Sequence, residues 1–83
     1  MMETVKKEHP LTDPWQSLAD AIVIQAAKDY RKALGRLRRN PDNASAKTEL
    51  AKIERFFRSD WYDSLTSVPG ELIIRKLKEE NEQ

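Results

Sequence analysis

The sequence predicts an all-α fold: a small helical bundle built on a long-helix hairpin (about 14–39 and 44–58), a short helix (60–66) and a C-terminal helix (69–80). Three observations carry this. Apolar residues recur at helical spacing through the first long span, no stretch alternates with the period of a strand, and the breaks between spans fall at clusters of Pro, Asn, Ser and Gly. The chain has 83 residues, which is one domain whose folding hides only about 60% of the unfolded surface, so its core is thin. The domain is read as 12–80, with 1–11 a polar N-terminal arm and 81–83 a frayed tail.

Thr12-Asp13-Pro14-Trp15-Gln16 opens the first helix. Asp13 can cap it, Pro14 suits the first helical position, and Gln16 completes a box-like pairing. Trp15, Leu18, Ala19, Ile22, Val23, Ala26, Ala27, Tyr30, Ala33, Leu34 and Leu37 then form one broad apolar stripe. The helix runs to about Arg39, because Asn40 precedes Pro41 and is pushed away from the α region. A helix over 14–39 is about 39 Å long at 1.5 Å per residue. Asn40-Pro41-Asp42-Asn43 reverses the chain, and so short a connection makes the next helix an antiparallel neighbour.

The second helix places Ala46, Leu50, Ile53 and Phe57 on its core face. Ser59 and Asp60 are both good caps for the short third helix, with Trp61 expected to fill the corner between helices two and three. Ser67-Val68-Pro69-Gly70 breaks the chain again. In the last helix Leu72, Ile73 and Leu77 are expected inward, with Ile74 flanking.

Composition narrows the function. Fifteen basic and fourteen acidic residues nearly cancel, and their distribution is mildly uneven: +3 over residues 1–41 and −2 over 42–83. Cysteine is absent, which removes disulfides and thiolate metal sites and fits a cytoplasmic protein. No apolar run approaches the roughly 20 residues that span a membrane, and residues 1–10 lack the apolar centre of a signal peptide. Catalysis is not expected. His9 is the sole histidine and lies in the arm, Asp60 and Asp63 read as a cap and a dipole partner, and Gly35 and Gly70 make no phosphate loop. No metal or cofactor is implied.

Three features can bind. Lys28, Arg31, Lys32, Arg36, Arg38 and Arg39 make the second half of helix one basic; they complement the helix dipole, and they can also meet phosphate on a nucleotide or on DNA. Ile24 points away from the apolar stripe on the side of Gly35. A second copy crossing there would explain both residues and make the protein a homo-oligomer. The span from Ile53 to Tyr62 holds four of the six aromatic residues together with Arg55 and Arg58. It reads as a packed corner with Ile53, Phe57 and Trp61 in the core. Arg55, Arg58, Tyr62 and Phe56 are left for a binding rim that, with Lys28 and Arg31, could hold an aromatic phosphorylated ligand.

Trp15, Ala21 to Leu34, Asn40 to Asn43, Ile53 to Tyr62 and Leu72 to Leu77 resemble a family of small helical proteins encoded by phages and prophages of Gram-positive bacteria. The resemblance covers most of the chain after residue 12 and brings no catalytic motif. It implies a phage setting and does not choose among the roles such proteins take; the leading expectation is a non-enzymatic, anti-defence binding protein in the host cytoplasm, which sequesters a phosphorylated nucleotide immune signal or inhibits a host defence protein directly. The alternative is a DNA-binding accessory protein of phage replication or transcription. Self-association is checked by light scattering: Ile24→Glu should dissociate a wild-type oligomer, and a monomeric wild type would refute the interface.

Overall fold

The computed structural model describes residues 14–82, and the expected arm and the Asp13 cap lie outside them. Four helices follow in order: α1 (Pro14–Arg39), α2 (Ala44–Phe57), α3 (Asp60–Leu65) and α4 (Gly70–Asn81). Each boundary lies within one residue of the sequence reading, for local reasons. Asn43 caps α2, its side-chain oxygen accepting from the Ala46 N–H at 3.0 Å, while its own N–H donates to the Asn40 carbonyl at 2.9 Å. Ser59 caps α3: its Oγ accepts from the Tyr62 N–H at 3.1 Å and donates to the Phe56 carbonyl at 2.7 Å, joining two helix ends. At the end expected to fray, Asn81 is still helical and its carbonyl accepts from Arg38 at 2.5 Å.

α1 and α2 form the hairpin, and α4 packs on both. Tyr30, Ala33, Leu34, Leu50, Ile53, Phe57, Tyr62, Ile74 and Leu77 make the core. Its largest wholly buried side chains are Tyr30, Phe57 and Tyr62. Phe57 meets Tyr30 and Tyr62 edge-on, with ring centroids at 6.2 and 5.5 Å, the geometry that ring quadrupoles favour.

Two expected assignments are reversed. Trp61 does not fill the corner: it is 57% exposed, and Tyr62 is buried in its place. With Ser59 as cap, the inward positions of the six-residue α3 are Tyr62 and Leu65, three apart, which turns Trp61 about 100° away. The tyrosine also has a use for its hydroxyl there, donating to the Val68 carbonyl at 2.8 Å. On α4 the buried residues are Ile74 and Leu77, whereas Leu72 and Ile73 are half-buried.

Gly70 sets that phase. A Cβ on it would stand 1.9 Å from the Phe57 carbonyl oxygen, so only glycine lets α4 reach α2 here. Residues four and seven positions later, Ile74 and Leu77, necessarily face the same way. The requirement is steric, since no described glycine has a positive φ.

α1 also outlasts its partner. It has 26 residues against 14 in α2, so its N-terminal portion runs past the hairpin. There the apolar stripe is left on the surface: Trp15 is 63% and Leu18 53% exposed, and only Ala19 is buried among residues 14–20.

The two glycines should therefore behave oppositely. Gly70→Ala should lower stability by about 3 kcal/mol, the upper end of overpacking costs. Gly35→Ala, whose Cβ would meet only the Arg39 guanidinium at 3.7 Å, should raise it by about 0.5–1 kcal/mol in the monomer. Urea unfolding followed by circular dichroism measures both, and an unchanged midpoint for Gly70→Ala would contradict the close approach.

Candidate functional site

The five residues proposed from sequence to hold a phosphorylated ligand do not converge within the protomer. Tyr62 is withdrawn from the surface altogether. Arg31 donates to both carboxylate oxygens of Glu80, from Nε at 3.0 Å and from Nη2 at 3.4 Å. Arg58 grips Glu71 through Nε and Nη2 and reaches Glu54 at 3.3 Å. Glu71 and Glu80 lie at opposite ends of α4, about 13 Å apart at 1.5 Å per residue, so the two arginines are separated and both are engaged. Their hydrogen bonds hold the Glu71 and Glu80 carboxyls below the usual carboxylate range. Lys28 and Arg55 are exposed and make no ion pair among the described residues.

These pairs belong to a network that clamps α4. Glu54 is its centre: it accepts from the Tyr30 hydroxyl at 2.5 Å, from Arg58, and lies 3.7 Å from the Lys78 ammonium. One carboxylate thus ties α1, α2 and α4 together. Burial raises the Tyr30 hydroxyl well above its ordinary pKa, and the hydrogen bond and charge of Glu54 push it the same way. Burial also raises Tyr62, with a smaller push from the charge of Asp63. Every one of these shifts is accounted for by packing and pairing. The depression between Arg31, Leu34, Leu77, Glu80 and Asn81 is bordered by the same ion pair.

On the other side of the hairpin the surface changes character. Ile22, Gln25, Ala26 and Asp29 of α1, with Phe56 and Trp61, line an open groove of about 310 Å³ whose surface is mainly apolar. The helical phases explain it. α4 covers one flank of the α1–α2 seam, and the opposite flank ends, where α2 stops, in Phe56 and the outward-turned Trp61. These two rings stack edge-on with centroids 5.4 Å apart. The Gln25 amide donates to Asp29 at 3.0 Å along the rim. Sequence reasoning kept Phe56 for a binding rim but missed the groove, because it assigned Trp61 to the core.

The chain matches no protein-family model, curated protein or solved structure. Within the described residues, no three His, Cys, Asp or Glu side chains are gathered to hold a metal ion, and no helix is long and apolar enough to cross a membrane.

The solvent face of α1 holds the remaining predicted residues. Ile24 is 53% exposed, and among the described residues only the Arg39 side chain, at 3.7 Å, comes within 4 Å of where a Cβ on Gly35 would stand, the helix's own backbone aside. Lys28, Lys32 and Arg39 lie within about 40° of one another on this face at 100° per residue. None of the three has an ion-pair partner among the described residues. Two copies crossing at Gly35 would bring these cations close together across the contact.

The buried tyrosines predict the alkaline limit of the fold. Their native pKa values lie above the ordinary 10.0, so the stability they confer is complete below pH 10 and is lost as pH rises beyond it. The slope should approach about 1.4 kcal/mol per pH unit for each tyrosine that stays neutral in the native state. In an alkaline titration tyrosinate absorbance should appear together with the loss of helical circular dichroism. Full ionisation of both tyrosines before unfolding would overturn the assignment.

Proposed function

We propose that this protein works by holding another protein in the groove between α1 and α3, without catalysing a reaction. The carrying observation is Trp61, a large aromatic side chain left 57% exposed beside Phe56 and Ile22 while the tyrosine next to it is buried. Tryptophan is enriched among residues that dominate protein–protein affinity. Covering the rest of this side chain is worth about 3 kcal/mol at ~25 cal/mol per Å². The setting we propose is a phage or prophage of a Gram-positive host, on the resemblance described above, with the partner a defence protein in the host cytoplasm.

Sequestration of a phosphorylated nucleotide has less support, because Arg31 and Arg58 would each have to leave a glutamate and Tyr62 would have to leave the core. The second reading is nucleic-acid binding through Lys28, Lys32 and Arg39. The unpaired row of cations favours it, although the same charges also complement the helix dipole.

The test is protection of phage in a defence-bearing host. Expression of the wild type should restore plating, and Trp61→Ala should abolish that effect with helicity and thermal midpoint nearly unchanged. Full activity of Trp61→Ala, coupled with its loss in a Lys28→Ala/Lys32→Ala variant that no longer binds duplex DNA at low salt, would replace the first reading by the second.

A further inference from the structure

We infer that the outer face of α2 is a second binding surface, which lays this helix against the phosphates of duplex DNA. It is separate from the groove and from the cations of α1, so it depends on neither reading above. Ala44, Lys47, Thr48, Ala51, Lys52 and Arg55 occupy one arc of about 140° at 100° per residue, and all six are exposed. No acidic residue of α2 falls within that arc. Glu54 borders it beside Lys47 but is engaged by Tyr30, Arg58 and Lys78. Glu49 lies about 60° past Lys52, half-buried on the side of Phe56, and Asp42 stands in the turn before the helix. Among the described residues Lys47, Lys52 and Arg55 make no ion pair. From Lys47 to Arg55 the row is about 12 Å long at 1.5 Å per residue.

The helix itself does not account for this row. α2 has no acid in its first turn, and Lys47 sits there instead, against the positive end of the helix dipole. Lys52 and Arg55, three apart, are like charges on neighbouring turns and repel each other. Only Arg55, in the last turn, complements the dipole. An anionic polymer along this face would relieve both conflicts.

The residues between the cations select the kind of anion. Ala44, Thr48 and Ala51 are short, so the helix can come close to what it binds. None of the large exposed apolar residues lies on α2. A helix that lies in a membrane needs such residues to insert, and the centre of a protein interface needs them to bury. A phosphate backbone needs only cations at close range. An α-helix fits the major groove of B-DNA, about 12 Å wide, whereas the deep, narrow major groove of duplex RNA excludes it.

The experiment is fluorescence anisotropy of a short labelled DNA duplex titrated with the full-length protein over a range of salt. Log K should fall by about 2.7 per decade of salt, at about 0.9 for each of three phosphates contacted. Lys47→Ala/Lys52→Ala/Arg55→Ala should weaken low-salt binding by about tenfold or more and flatten that slope, with helicity unchanged. Lys28→Ala/Lys32→Ala/Arg39→Ala removes the same charge from the other helix and should cost much less. An equal or greater loss there would overturn the inference. Trp61→Ala should bind the duplex as the wild type does, and a matching loss would move the site to the groove and overturn it too. Three further results would also overturn it: no duplex binding at low salt, equal affinity for a single strand or for duplex RNA, or a preference for phosphatidylserine vesicles that the α2 variant loses. None of these three bears on the docking of a protein in the groove.

Discussion

The fold depends on Phe57, which acts through both its ring and its backbone. The ring lies at the centre of the aromatic core, touching Tyr30 of α1 and Tyr62 of α3 edge-on. The carbonyl lies so close to Gly70 that no side chain fits between them. One residue at the end of α2 thus sets where α1, α3 and α4 can stand. The orientation of α4 follows from that contact, and with it the burial of Ile74 and Leu77. The Glu54 network adds polar ties across the same junction, with Tyr30 reaching from α1 and Lys78 from α4. Its ion pairs are largely exposed, so each adds little alone; their value is in orienting helices that the core already holds.

The element boundaries were legible because they are governed locally. Asn43 and Ser59 cap with their own side chains, and Pro41 ends α1 through its effect on Asn40. The identity of the inward residue within a short helix was less legible. Trp61 and Tyr62 are neighbours of similar bulk, and the choice between them turned on Ser59 taking the cap and on a hydroxyl that could reach Val68. Ile73 and Ile74 were ambiguous for a related reason: their phase is fixed by a clash at Gly70 that is invisible without the neighbouring backbone. The candidate site was least legible. The partners of Arg31 and Arg58 are Glu80 and Glu71, 49 and 13 residues away, so no local pattern could show that both arginines were already engaged.

The charges are divided by face rather than by position in the chain. Along α4 acids and bases meet, and this flank is closed by matched pairs. Around Trp61 the carboxylates are unmatched, and along the outer face of α1 the cations are unmatched. Net charge near zero conceals this division, since unlike sets on two separate surfaces cancel in the sum. Uncompensated charge on a folded surface costs little in water, so it can persist where a partner uses it.

The unequal lengths of α1 and α2 also divide α1 energetically. Around Tyr30, Ala33 and Leu34 its backbone hydrogen bonds sit against a packed core and open only with the molecule as a whole. Near Pro14 to Leu18 every residue is exposed, so the same helical bonds lie within reach of water. Amide hydrogen exchange along this one continuous helix should therefore form a gradient, fast at its N-terminal turns and slowest past Tyr30. The groove sits between these regimes, with Ile22 on the yielding side and Ala26 next to the rigid one, so a docked partner would slow exchange most in the turns before Ile22.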